Sequence, residues 1–238
     1  MKLADKIAIV TGVTGGFGSA IATALIHKGA VVYGLGRNLD KITALKQQLG
    51  AKFQGQAIDI TDEIALQNWV QKTFSSTHSP SILINNAGVG SFNKIDETPT
   101  SNWKAMIDTN LNGLFYITSL VASFMKNDVS SSHIINIGSI LGKVGRDESS
   151  GYCASKFGIQ GFSQALSMEL SSFNIKVTCF NPGSIETDFF TSSGIQSHSN
   201  MLQPKDLSET LINILQTPDN LLIDEITIRP LNPKNPMN

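Results

Sequence analysis

The chain has 238 residues, 41% of them hydrophobic and 16% charged, with 18 basic against 19 acidic side chains and a formal net charge of -1. Such a composition can fill a core, which excludes a disordered chain. The balanced charge leaves no broad basic field for a nucleic acid or an anionic membrane. Cys153 and Cys179 are too few for a disulfide framework and suit a reducing compartment, so a cytoplasmic location is expected. No secretory signal is read in the first residues, and no stretch approaches the roughly 18 apolar residues of a membrane span.

Runs rich in β-branched residues predict strands at Lys6–Val10, Ala30–Leu35, Phe53–Ile58, Ser81–Ile84, His133–Ile137, Lys176–Phe180 and Glu225–Ile228. Most are apolar on both faces, as in strands buried within a parallel sheet. Helical patterns lie between them. Ile21, Ala22, Leu25 and Ile26 share one helical face that Lys28-Gly29 stops. Leu39–Leu49 and Ile64–Phe74 are amphipathic, and Trp103–Met125 and Ala154–Leu170 each read as one long buried helix. The alternation predicts an α/β fold: a doubly wound parallel sheet of about seven strands, helices on both faces, in one domain over residues 1–238. Asn127–Ser132 and Thr191–Gln203 read as irregular, the second as a flap over a site, and Pro230–Asn238 as a surface tail.

The first strand runs into Thr11-Gly12-Val13-Thr14-Gly15-Gly16-Phe17-Gly18 and then a helix. Glycines let the backbone approach a diphosphate, and a helix N-terminus offers it free N–H groups and a positive dipole end. The spacing is G-x-x-x-G-x-G rather than G-x-G-x-x-G, and no Gly-Lys-Ser/Thr follows, so a P-loop nucleotidase is disfavoured. An ordinary glycine-rich turn is the alternative. The second strand ends Gly34-Leu35-Gly36-Arg37-Asn38 with no acid before Asp40. A guanidinium there can pair with a ribose 2′-phosphate, which favours NADP(H) over NAD(H). A solvated arginine is the competing reading.

Tyr152 and Lys156 stand four residues apart on one helical face. A cation beside a phenol favours the phenolate, so the pair predicts a tyrosine acid or base with a lowered pKa. Alone the pair is weak. However, Asn85-Asn86-Ala87-Gly88, Gly138-Ser139 and Asn181-Pro182-Gly183 all follow strands, and parallel strands put their carboxyl ends on one side.

Together these residues resemble the short-chain dehydrogenase/reductase family, NAD(P)-dependent oxidoreductases of Rossmann-type fold, over nearly the whole chain. The resemblance implies catalytic roles for Asn110, Ser139, Tyr152 and Lys156. It also implies cofactor contacts from Gly12, Thr14, Gly16, Phe17, Gly18, Arg37, Asn38, Asp59, Ile60, Asn86, Ala87 and Gly88, from Tyr152 and Lys156, and from Pro182, Gly183, Ile185 and Thr187. In the implied reaction Ser139 orients a substrate carbonyl, Tyr152 protonates it, Lys156 holds the nicotinamide ribose, and Asn110 holds a water that resupplies the proton. A small carbonyl or alcohol substrate and a homodimer or homotetramer built on the two long helices are implied as well. Two departures stand out. Gly15 replaces the basic residue of many NADP enzymes, and the ending Glu225 to Leu231 lacks the glycine-rich segment of many acyl-carrier-protein ketoreductases.

A 3-oxoacyl-thioester reductase, a catalytically silent NADPH-binding regulatory protein and a methyltransferase are the competing readings. Val89, Ser91, Phe92, Leu141, Lys143, Val144, Ser184, Phe189 and Phe190 are candidate pocket residues, with Lys143 and Arg146 read as solvated rather than as carboxylate binders. The four histidines show no metal-ligand spacing, and Cys153, Cys179, Trp69 and Trp103 read as packing residues.

Overall fold

The computed structural model describes residues 1–127, 131–191 and 198–233, without the side chains of residues 190 and 191. The strands lie close to their predicted bounds: β1 Ile7–Thr11, β2 Val31–Gly36, β3 Phe53–Ala57, β4 Ile82–Asn85, β5 Ser132–Ile137, β6 Ile175–Pro182 and β7 Glu225–Ile228. They form one sheet in the order β3-β2-β1-β4-β5-β6-β7. Every pairing in it is parallel. The doubly wound α/β architecture expected from the alternation is therefore present.

Pleating divides the core between the two faces. Ala8 and Val10 of β1 point to one side, where helices α1 (Gly16–His27) and α8 (Pro204–Leu215) place Ile21, Leu25 and Leu211. Ile9 points to the other, against Leu66 of α3 (Glu63–Thr73), Ile117 of α5 (Gly113–Met125) and Leu170 of α6 (Ser150–Leu170). Helix α2 (Leu39–Leu49) matches its predicted bounds, and Gly29 (φ +87°) ends the turn after α1.

Four elements depart from expectation. The stretch read as one helix over Trp103–Met125 is α4 (Thr100–Ile107), a π-helical turn (Asp108–Asn112) and then α5. The turn is held by long-range bonds from Asn110, described below, and a Cβ at Gly113 would come within 2.8 Å of Ile60. Helix α6 starts at Ser150, ahead of the predicted Ala154, and carries Tyr152 and Lys156 on it, as their spacing predicts. Helix α8 falls where no helix was read; with Pro204 in its first turn, it buries Leu207, Leu211 and Ile212 against α1. The short α7 (Asp188–Thr191) was also not anticipated. Trp69 is buried as expected, but Trp103 is 41% exposed. Of the irregular stretches, residues 128–130, 192–197 and 234–238 lie outside the described residues, as does the side chain of Phe190.

Candidate functional site

The strand order reverses between β1 and β4, which opens a crevice at their carboxyl ends. A hydrogen-bonded clasp closes its base. Thr11 Oγ1 accepts from the backbone N–H groups of Asn86 and Ala87, both at 3.0 Å, while Asn86 Nδ2 donates to Thr11 O (2.9 Å) and Gly12 O (3.2 Å). Gly12 adopts φ +64°, and a Cβ there would meet Ala87 Cα at 2.7 Å; a Cβ at Gly18 would meet Gly12 O at 2.3 Å. Both positions therefore require glycine. Helix α1 starts beside them from Gly15, with no side-chain cap and no acid in its first turn. Its first N–H groups are thus left for an external acceptor.

A cleft of about 930 Å³ runs along the carboxyl ends of the strands. It is lined by Gly12, Thr14, Gly16, Phe17, Gly18, Arg37, Asp59, Ile60, Asn86, Ala87, Gly88, Ser139, Tyr152, Lys156, Pro182, Gly183, Ile185 and Thr187. Two expected residues are not on that wall. Asn38 caps α2, its Oδ1 accepting from Lys41 N at 2.9 Å. Asn110 is fully buried behind the wall: its Oδ1 accepts from Val89 N (2.8 Å), and its Nδ2 donates to Val89 O and Ser155 Oγ, both at 2.9 Å. Gly88 brings its backbone close to both Asn110 and Lys156, since a Cβ there would lie 3.3 Å from Asn110 Oδ1 and 3.7 Å from Lys156 Nζ.

At one end of the cleft Arg37, its side chain 71% exposed, faces Asp59 across 3.9 Å. Asp59 Oδ1 also accepts from Thr61 N (3.0 Å) and Thr61 Oγ1 (2.9 Å). Lys41 lines the same end from the first turn of α2, four residues past Arg37, a place with no sequence signal of its own.

At the other end Tyr152 is only 8% exposed and packs edge-on against Phe92 (5.3 Å between centroids) and near Phe189 (6.0 Å). Lys156 Nζ lies 5.7 Å from the Tyr152 ring centroid and donates to Ile137 O at 2.9 Å. The expected lowering of the Tyr152 pKa is not found. Burial pushes the phenol up to about 12, against an opposing hydrogen bond with Ser139. Burial likewise pushes Lys156 down to about 8. The same dry wall penalises both charges, and removing phenolate from water outweighs what a cation at this distance supplies.

Ser139 precedes a 3₁₀ turn, and its Oγ accepts from Leu141 N at 3.1 Å. Of the candidate pocket residues, Val89, Phe92, Leu141, Ser184 and Phe189 line the cleft. Ser91 lines a smaller adjoining space, Val144 is exposed, and Lys143 is ion-paired with Glu225. Arg146, read as solvated, also lines the cleft, its Cζ 5.2 Å from the Phe92 ring centroid. His198 and Met201 join the wall too. Their place depends on residues 184–186 pairing with Leu202, a contact without a local sequence signal.

The donor set fits a dinucleotide: an uncapped helix start for a diphosphate, cations at one end, and hydroxyl, phenol and ammonium groups at the other. Residues 6–197 match the model of the short chain dehydrogenase family. An uncharacterized oxidoreductase of Staphylococcus saprophyticus is 33% identical over 235 residues, covering 97% of this chain and all of its relative. Among solved structures, the closed form of a serine dehydrogenase complexed with NADP+ superposes with a TM-score of 0.86 at 28% identity, over 93% of each chain. A metagenomic short-chain oxidoreductase in complex with NADP gives a TM-score of 0.84 at 27% identity, over 98% of this chain and 100% of the other.

The Lys156 shift has a consequence for stability. Between pH 8 and 10.5 the unfolded chain binds a proton on this lysine that the folded protein does not, so stability contributed here rises with pH across that window. Replacing Lys156 with Met is expected to flatten the rise between pH 8 and 10 by about 2 kcal/mol relative to the unaltered protein. Urea unfolding across that range measures it, and identical slopes would place the ammonium in water.

Proposed function

The chain belongs to the short-chain dehydrogenase family, and from that premise we propose that it is an NADP(H)-dependent oxidoreductase acting on a small carbonyl or alcohol, with Tyr152 as its acid and base. The observation that carries the reading is the meeting of Ser139, Tyr152 and Lys156 at one end of a cleft whose other end holds Arg37 and the uncapped start of α1. The nicotinamide, when bound, supplies or accepts the hydride. The rest falls to the chain's own groups. The α1 N-terminus and the glycine turn hold a diphosphate. Ser139 Oγ–H donates to the substrate oxygen and orients it, and Tyr152 transfers the proton. Burial keeps the phenol in its neutral form, which donates a proton to a carbonyl oxygen in the reducing direction, and in the oxidising direction Tyr152 takes that proton back. Lys156 holds ribose hydroxyls, and in this reading a water held near Asn110 resupplies the proton through it.

The preference for NADP(H) rests on Arg37, with Lys41 as a second cation, and is supported by the two similar structures that contain NADP. Both cysteines are free thiols, and among the described residues no helix is long and apolar enough to cross a membrane; we place the protein in the cytoplasm. Phe115 on α5 and Phe157 and Met168 on α6 are exposed, and we propose that they seat a second copy in a homodimer or homotetramer.

Absorbance at 340 nm during NADPH oxidation against ketones, diketones and 3-oxo acids tests the activity. Tyr152→Phe is expected to lower turnover by about 10²–10⁴-fold while NADPH affinity changes little. Substantial turnover by that variant would remove Tyr152 from the reaction, and tight NADPH binding without turnover by the unaltered protein would make it a binding protein. Arg37→Asp is expected to weaken NADPH roughly 10–100-fold and leave NADH nearly unaffected; equal effects on both would deny Arg37 the 2′-phosphate. For the assembly, Phe157→Glu with Met168→Glu should lower the sedimenting mass, and an unchanged mass would move the interface elsewhere.

A further inference from the structure

Tyr152, Lys156 and Gln160 follow one another at four-residue intervals along one face of α6, but only the first two enter the reaction above. Gln160 belongs to a different chain of contacts. Its Oε1 accepts from Asn181 Nδ2 at 2.9 Å, and its Nε2 donates to Glu225 Oε2 at 2.6 Å. The other oxygen of Glu225 pairs with Lys143. Asn181 is fully buried, and its Oδ1 accepts from the backbone N–H of Ser139 at 3.1 Å. Gly138 makes room for it, since a Cβ there would lie 2.0 Å from Asn181 Oδ1. The contacts close a ring: Ser139 leads through the 3₁₀ turn (Ile140–Gly142) to Lys143, and Lys143 leads back through Glu225, Gln160 and Asn181 to Ser139.

An amide can face either way, and only its partners decide which. A carboxylate only accepts, so Glu225 compels Gln160 to present its NH2 to β7. The Gln160 oxygen then faces Asn181 and compels that NH2 inward. The Asn181 oxygen is left facing the Ser139 N–H. We propose that Glu225, Gln160 and Asn181 are positioning residues that transmit the polarity of one edge carboxylate to the backbone of Ser139 and so fix its hydroxyl in the cleft. The inference rests on the reading of Ser139 as the group that orients the substrate oxygen.

Glu225→Gln tests it, because Lys143 remains. The ammonium draws the new amide oxygen to itself, which turns the new NH2 toward Gln160. Both amides beyond it then reverse, and Asn181 presents a donor to the Ser139 donor. The expected result is a kcat about tenfold lower, with NADPH affinity unchanged and faster hydrogen exchange at the Ser139 amide. Adding Asn181→Asp gives Ser139 an acceptor again with the relay running in reverse. That double variant should recover kcat to within about threefold and restore slow exchange. A merely structural role would leave the double no better than the single. The proposal is overturned if Glu225→Gln changes neither kcat nor exchange, or if the double is no faster than the single. If the single variant fails to fold, Lys143→Ala with Glu225→Gln replaces it, since without Lys143 the new oxygen can stay toward Gln160. That variant and the Asn181→Asp, Glu225→Gln double must then both show near-normal kcat and slow Ser139 exchange, and failure of either overturns the proposal. Absence of turnover in the unaltered protein on every carbonyl would instead refute the oxidoreductase reading, and the relay would then be judged on Ser139 exchange alone.

Discussion

The clasp between Thr11 and Asn86 is the constraint on which the cleft depends. Strands β1 and β4 are neighbours whose following segments leave in opposite directions, so their carboxyl ends have no further ladder to join them. The Thr11 hydroxyl and the Asn86 amide bridge that gap. Through Gly12 O they also fix the turn that aims α1. Because every strand is parallel, anything attached to a carboxyl end faces the same crevice. Residues far apart in the chain, from Gly12 to Thr187, thus come to line one wall.

A second constraint is dryness. The end of the cleft that holds Ser139, Tyr152 and Lys156 is walled by Phe92, Phe189 and Leu141, and Tyr152 and Lys156 are buried there. Burial disfavours charge on both Tyr152 and Lys156, which brings their pKa values to about 12 and 8 by moving them away from the charged forms. A neutral phenol beside a hydroxyl can donate a proton to an oxygen on which negative charge develops. A phenolate in the same place would first have to be stabilised against its own desolvation.

Much of this was legible in the sequence. The strands read clearly because parallel strands buried on both faces are apolar at nearly every position. The glycine turn, the Asn-Ala-Gly strand end and the Tyr–Lys spacing are local patterns, and the fold brings them to one place. Most of what could not be read arises from tertiary contacts. The apolar periodicity across Asp108–Asn112 looks continuous, yet Asn110 bonds to Val89 and Ser155 from a π-helical turn. Asn38 reads as a cofactor neighbour from position alone, but its side chain caps α2. Spacing reveals the cation near Tyr152 and says nothing about how much water has been removed, so it gives the wrong sign for the Tyr152 pKa. Lys143 and Arg146 read alike as solvated charges, and only the fold separates them, one paired with Glu225 and the other over the Phe92 ring.

Helix α6 joins these threads. It supplies the phenol, the ammonium and Gln160 from one face. The backbone carbonyl that receives the ammonium belongs to Ile137, two residues before Ser139. The short segment that follows Ile137 is therefore held at its start by Lys156 and at Ser139 by Asn181. In the proposed reaction the Ser139 hydroxyl must meet a substrate oxygen within a few tenths of an ångström, and it gains little from a strong local turn alone, because a turn fixes shape and leaves its position free. Tying the segment to the helix that carries Tyr152 makes the two groups move together, so their relative geometry is set by α6 and the sheet edge rather than by the loop between them.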